Sequence, residues 1–143
     1  MSRLEYARSF RQLVVYQKAA SVAHEIFERS KSFPDHEKYS LTDQVRRSSR
    51  SIGAQIAEAW GKRRYQRHFI SKLTDADAEQ LETQHWISVA VSCGYLEGHI
   101  ESDLLRDLSE IGRMLHSMMK NASSLCEGTS DSVREKSSQY FFP

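Results

Sequence analysis

Between Gln44 and Lys72 the chain carries eight basic side chains, Arg46, Arg47, Arg50, Lys62, Arg63, Arg64, Arg67 and Lys72, against one acid, Glu58. The stretch therefore holds +7 in a protein whose formal net charge is +1, which leaves −6 for everything else. Charge concentrated this way creates local positive potential, the requirement for contact with phosphate or with an acidic protein surface. Trp60, Tyr65 and Phe69 interleave with the cations. An exposed Trp60 or Tyr65 could stack on an unpaired base, although an aromatic at this spacing is more often a core residue.

Residues for bond-making chemistry are not assembled in any comparable way. The histidines, His24, His36, His68, His85, His99 and His116, are scattered, and no HExxH zinc motif occurs. Glu82-Thr83-Gln84-His85 is a single Glu-x-x-His match, whereas a di-iron bundle needs a second copy and glutamates from two further helices. There is no glycine-rich phosphate loop. Cys93 and Cys126 stand too far apart for a zinc motif or a disulfide framework and read as two reduced thiols of a cytoplasmic protein. No catalytic residue, metal site or cofactor is expected.

The elements that must position the cations are helical. With 143 residues, 39% hydrophobic, the chain can bury one core, and two prolines and six glycines are too few for a strand-and-turn architecture. No apolar run of membrane-spanning length is present, and the first eleven residues lack a signal peptide's apolar segment. Apolar spacing of three and four predicts a helix over 10–30, with Phe10, Leu13, Val14, Ala20, Ala23, Ile26 and Phe27 on one face. Phe33-Pro34 ends it. Ser40-Leu41-Thr42-Asp43 has the form of a capping box for a second helix running to about Lys62. Its stripe is Leu41, Val45, Ser48, Ile52, Ile56 and Ala59.

A third helix, about Tyr65 to Cys93, carries Phe69, Leu73, Ala76, Leu81, Ile87 and Val91, is roughly 40 Å long and is closed by Gly94. A fourth begins between Glu97 and Ser102 and runs to Cys126, with Leu104, Leu105, Leu108, Ile111, Leu115, Met118, Met119, Ala122 and Leu125 inside. Short connections make neighbours antiparallel, so the expected fold is all-α, an antiparallel up-down-up-down four-helix bundle. Residues 10–126 form it, 1–9 are an N-terminal extension, and 127–143 are a polar tail ending in Tyr140-Phe141-Phe142-Pro143, either disordered or docked as an aromatic plug.

Two helical surfaces suggest further contacts. On the second helix Arg46, Arg50, Gly53 and Ala57 share a strip beside Arg47, Ser51, Ala54 and Glu58. This is either a solvated basic face or a subunit contact in which Gly53 and Ala57 permit close approach and Glu58 meets an arginine. On the third, Asp77, Gln80 and Gln84 fall on or beside the core stripe. They form a hydrogen-bonded layer within the bundle, lie at a subunit seam, or are exposed by a small rotation.

The run from Phe10 to Ala19 (FRQLVVYQKA) resembles the opening of the helical family of proteins encoded in 23S rRNA intervening sequences. Phe33-Pro34 with Glu37, Tyr39 and Leu41, the run QVRRSSRSI from Gln44 to Ile52, Ile56-Ala57-Glu58, Leu81 to Gln84 and Gly94-Tyr95-Leu96 are similar to it as well. The resemblance spans about 10–122 and implies a four-helix bundle that forms a homopentameric ring in the bacterial cytoplasm. It also implies kinship with the accessory proteins of diversity-generating retroelements, which bind nucleic acid and a reverse transcriptase. The chain departs from the family pattern at Gly53, Gln55, Ala59, Ala76-Asp77 and Gln80. Two functions follow: a non-catalytic scaffold holding RNA or DNA on the eight cations, or an adaptor whose ring docks a protein partner such as that enzyme.

Overall fold

The computed structural model describes residues 7–126, which form five α-helices and no strands. The polar tail with its aromatic end, and the first six residues of the extension, lie outside the described residues. A 3-10 turn at Phe10–Gln12, capped by Ser9 accepting from the Arg11 amide, leads into α1 (Val14–Ser30). After Pro34 comes a 3-10 turn (Asp35–Glu37) and one π-helical turn (Lys38–Thr42), then α2 (Asp43–Gly61), α3 (Gln66–Ser92), α4 (Gly98–Lys120) and a last turn α5 (Ala122–Leu125). Among the long helices, α1 packs on α2 and α4, and α3 packs on α2 and α4, so the four enclose one core.

The predicted stripe of α2 is the observed one: Leu41, Val45, Ser48, Ile52, Ile56 and Ala59 are all buried. Three other details differ. In α1 the buried row is Val15, Ala19, Val22 and Ile26, one position away from much of the predicted face, and Ala20 is exposed. Leu81 is 55% exposed, because Gln80 and Thr83 take the interior positions of α3's middle turns. Ser40 caps nothing. Helical backbone already runs from Lys38, whose carbonyl receives the Asp43 amide, so Ser40 instead donates its hydroxyl to the Glu37 carboxylate.

Gln80, 4% exposed, shows what the polar row on α3 is for. Its amide nitrogen donates to Asp77 (3.0 Å) and its carbonyl oxygen accepts from Gln84 (2.7 Å). Asp77 in turn meets His116 of α4 at 2.9 Å. Gly112 makes room, since a Cβ there would lie 3.0 Å from the Gln80 amide nitrogen. Between α2 and α3, the buried Thr83 and Ser48 hydroxyls sit 2.9 Å apart. The α3 terminus is set by Gly94 at φ +81°, with Tyr95 and Gly94 amides returning to the carbonyls of Ala90 and Val91. Only glycine adopts that conformation without strain.

Truncating Leu73, fully buried in α3, should cost about 2–5 kcal/mol in urea unfolding, whereas truncating Leu81 should cost less than about 0.5 kcal/mol. Equal losses would place Leu81 in a packed interior.

Candidate nucleic-acid interface

The eight cations are not one surface. At the start of α2, Arg46 and Arg50 turn toward α1: Arg46 Nε donates to the Ser30 hydroxyl at 2.8 Å, and both guanidinium groups lie over the Phe27 ring, 4.8 and 5.2 Å from its centroid. Arg47, one residue on, turns the other way. It pairs with Glu79 at 3.3 Å and with Glu82, both on α3. Two carboxylates for one guanidinium leave no positive charge to offer a phosphate there. The Trp86 indole N–H and Arg47 together hold the Glu82 carboxyl below its usual range, and Glu82 in turn raises Arg47 further. The lone Glu-x-x-His match is thus structural: its Glu serves Arg47 and Trp86, and His85 packs edge-on against Trp86 at 4.8 Å.

Lys62, Arg63, Arg64 and Arg67 gather where α2 hands over to α3, some 18–24 Å along α2 from Arg50 and Arg46 at 1.5 Å per residue, while Lys72 lies further back beside Gln55 and Glu58 of α2. Lys62, Arg63 and Arg64 form the turn, Arg67 lies in the first turn of α3, and Lys72 follows. Among the described residues Lys62, Arg64 and Arg67 meet no carboxylate within ion-pair distance. Lys72 is shared with Gln55 (3.0 Å), Glu58 (3.3 Å) and Asp75 (3.9 Å). The single acid of the basic stretch, Glu58, is therefore paired within its own chain. Lys62, Lys72, His68 and Ser71 line a small open recess of ≈ 130 Å³. Neither His68 nor Ser71 carries a signal that sequence alone reveals. Their role comes from sitting one turn apart on the α3 face beside Lys62.

The two aromatics separate. Trp60 packs against the core, with the Arg63 guanidinium 3.5 Å from its ring centroid. Tyr65 is 56% exposed, beside His68 and Arg64 at 5.3 and 5.6 Å. Gly53 and Ala57, predicted as a contact strip, line a shallow groove of ≈ 330 Å³ between α1 and α2 together with Tyr16, Ala20, Ala23 and Arg50. No group of three or more His, Cys, Asp or Glu among the described residues could hold a metal ion, and no described helix is long and apolar enough to cross a membrane.

Residues 11–117 match the profile of the family described as 23S rRNA-intervening sequence protein. The fold is similar to a crystal structure of a protein with unknown function from the S23 ribosomal protein family of Bacteroides thetaiotaomicron. That similarity has a TM-score of 0.68 at 30% sequence identity and covers 75% of this chain and 99% of the other. No curated protein matches the sequence.

A carboxyl held low in the folded state stabilises above its unfolded pKa, near 4.3, and loses that contribution as pH falls through the folded value. Glu82 is such a group, and so are Glu37, under the Ser40 and Tyr95 hydroxyls, and Glu110, beside Lys18. Urea unfolding at about pH 7 and pH 3.5 should show stability falling with acid, and less so in Glu82→Gln, by up to about 1 kcal/mol for an exposed pair. An identical acid loss in the variant would show that the Arg47 cluster contributes nothing.

Proposed function

The chain belongs to the 23S rRNA-intervening sequence protein family, and from that premise we propose that it is a non-catalytic helical scaffold that binds nucleic acid. The observation that carries this is the cation cluster at the α2–α3 turn, where Lys62, Arg64 and Arg67 stand together without a carboxylate partner among the described residues. Positive charge without internal neutralisation is what releases counterions from a polyphosphate. RNA and DNA both satisfy that chemistry. The helices run up-down-up-down: Arg46 near the start of α2 reaches Ser30 at the end of α1, and Lys72 near the start of α3 reaches Glu58 near the end of α2. Asp77 and His116 continue the same reversal between α3 and α4.

The protein acts as a homo-oligomer, a pentameric ring in the bacterial cytoplasm as its family resemblance implies. The α1–α2 groove supports a contact between copies, because Gly53, Ala54 and Ala57 let a neighbouring backbone approach and Arg50 stands at the side. The same groove favours the second reading, an adaptor whose ring docks a protein such as a reverse transcriptase.

Reversing Lys62, Arg64 and Arg67 to glutamate should weaken binding to structured RNA at least ~10-fold at ~100 mM salt. It should also flatten the log–log salt dependence by about two to three, at roughly 0.7–0.9 per phosphate contact. Reversing Arg46 and Arg50 should matter less, since both are engaged against α1. Undiminished binding by the folded turn variant, read by anisotropy with circular dichroism as the control, would defeat the scaffold reading. For assembly, Ala57→Arg should lower the mass read by light scattering while helicity survives. A wild-type chain of monomer mass would remove the ring.

A further inference from the structure

We propose that the α2–α3 turn is a site for a single-stranded nucleic acid, in which an unpaired base stacks on Tyr65 and the adjoining phosphate sits in the recess of Lys62, His68, Ser71 and Lys72. The inference rests on the nucleic-acid reading above and narrows it to a strand type and a pair of contacts.

Tyr65 is one of three large apolar or aromatic side chains that the described structure leaves mostly in water, and the only one of them set among cations of this turn. It precedes the first residue of α3 in extended backbone (φ −123°, ψ 112°), and its side chain caps nothing. Its exposure is therefore not a by-product of closing the helix. Neither neighbour lies flat on the ring: His68 is tilted 57° at 5.3 Å, and the Arg64 guanidinium stands 5.6 Å from the centroid. A base can displace both toward its own edge, where a cation meets phosphate or a base oxygen.

The recess is matched to one anionic group. At about 30 Å³ per water, its ≈ 130 Å³ has room for roughly four waters, and its lining residues are two lysines, a histidine and a serine. The opening turn of α3 has no acid and no side-chain cap, so its amide dipoles add to the field. Lys72 is already paired with Glu58 and Asp75, so it shapes the recess more than it charges it, and Lys62, with Arg67 nearby, supplies the charge.

A duplex fits the arrangement less well. Its bases present no free faces, and the other basic pair, Arg46 and Arg50, is engaged against α1 about 18–24 Å away along α2. A compact cluster with one exposed aromatic suits a flexible strand that brings base and phosphate to it together.

The test is fluorescence anisotropy of the full chain at ~20 mM salt, where phosphate contacts are strongest, with three labelled ligands of equal length: a thymidine dodecamer, an abasic dodecamer and a duplex. Wild type should bind the thymidine strand about 5- to 150-fold tighter than the abasic strand, the range for loss of a stacked base. Tyr65→Ala should erase that difference while leaving abasic binding unchanged, and Tyr65→Phe should restore it. Lys62→Glu with Arg67→Glu should weaken both single strands. A preference for thymidine that survives in Tyr65→Ala, or a duplex bound as tightly as the single strand, overturns the inference and leaves general nucleic-acid binding standing. Failure to bind any of the three removes the broader reading and this one with it.

Discussion

The rotation of α2 about its own axis decides what every charged residue on it can do. Val45, Ser48, Ile52, Ile56 and Ala59 must all leave water, and only one rotation buries them together. Once it is fixed, Arg46 and Arg50 fall against α1 and Arg47 against α3, because a side chain one residue further on points about 100° away. Phe27 and Ser30 receive the first two, and Glu79 and Glu82 receive the third. The cations of the α2–α3 turn lie beyond the last buried residue of the stripe, and nothing about burial dictates a partner for them. The hydrophobic stripe thus sorts structural cations from available ones.

This sorting explains which parts of the molecule were legible in the sequence. The stripe of α2 is built mainly from Leu41, Val45, Ile52 and Ile56, whose period is plain, and the fold class follows from four amphipathic stretches. On α1 the period is blurred by alanines, since Ala20 and Ala23 satisfy an apolar pattern yet line a groove instead of a core. On α3 it is blurred from the other side. Gln80 and Thr83 are interior because each has a partner within the bundle, and Leu81 is displaced outward as a consequence. Counting cations along the chain cannot reveal that Glu79 and Glu82, more than thirty residues from Arg47, face it across the α2–α3 contact. Nor can it show that the recess at the turn is completed by His68 and Ser71.

The polar contacts between helices divide into two kinds with different consequences. Thr83–Ser48 is buried between α3 and α2, and the buried Gln80 amide is satisfied within α3 by Asp77 and Gln84, so an unpaired partner at either place carries the full desolvation cost. Gly112 belongs to the same arrangement, since any side chain would press on Gln80. The pairs Lys18 with Asp107 and Glu110, and Lys72 with Glu58, are half-exposed and screened by salt, so they steer register more than they stabilise. The buried set therefore holds the turn in place, and within the turn Arg63 is tied to Trp60 while Lys62, Arg64 and Arg67 meet no carboxylate among the described residues.

That freedom also limits what one chain can do alone. On the proposed reading, three cations without carboxylate partners and one aromatic face would give a few phosphate contacts and at most one stacked base, which is weak binding at physiological salt. A scaffold built on this turn gains affinity through copies, because a second turn engaging the same strand acts at an effective concentration set by geometry and adds avidity without new contacts. A ring in which the α1–α2 grooves meet neighbouring copies would hold several turns at fixed spacing, and a flexible single strand can follow such spacing where a stiff duplex cannot. On this argument assembly and strand type are one question: a monomeric chain would make the turn too weak a site to matter, whatever it stacks on.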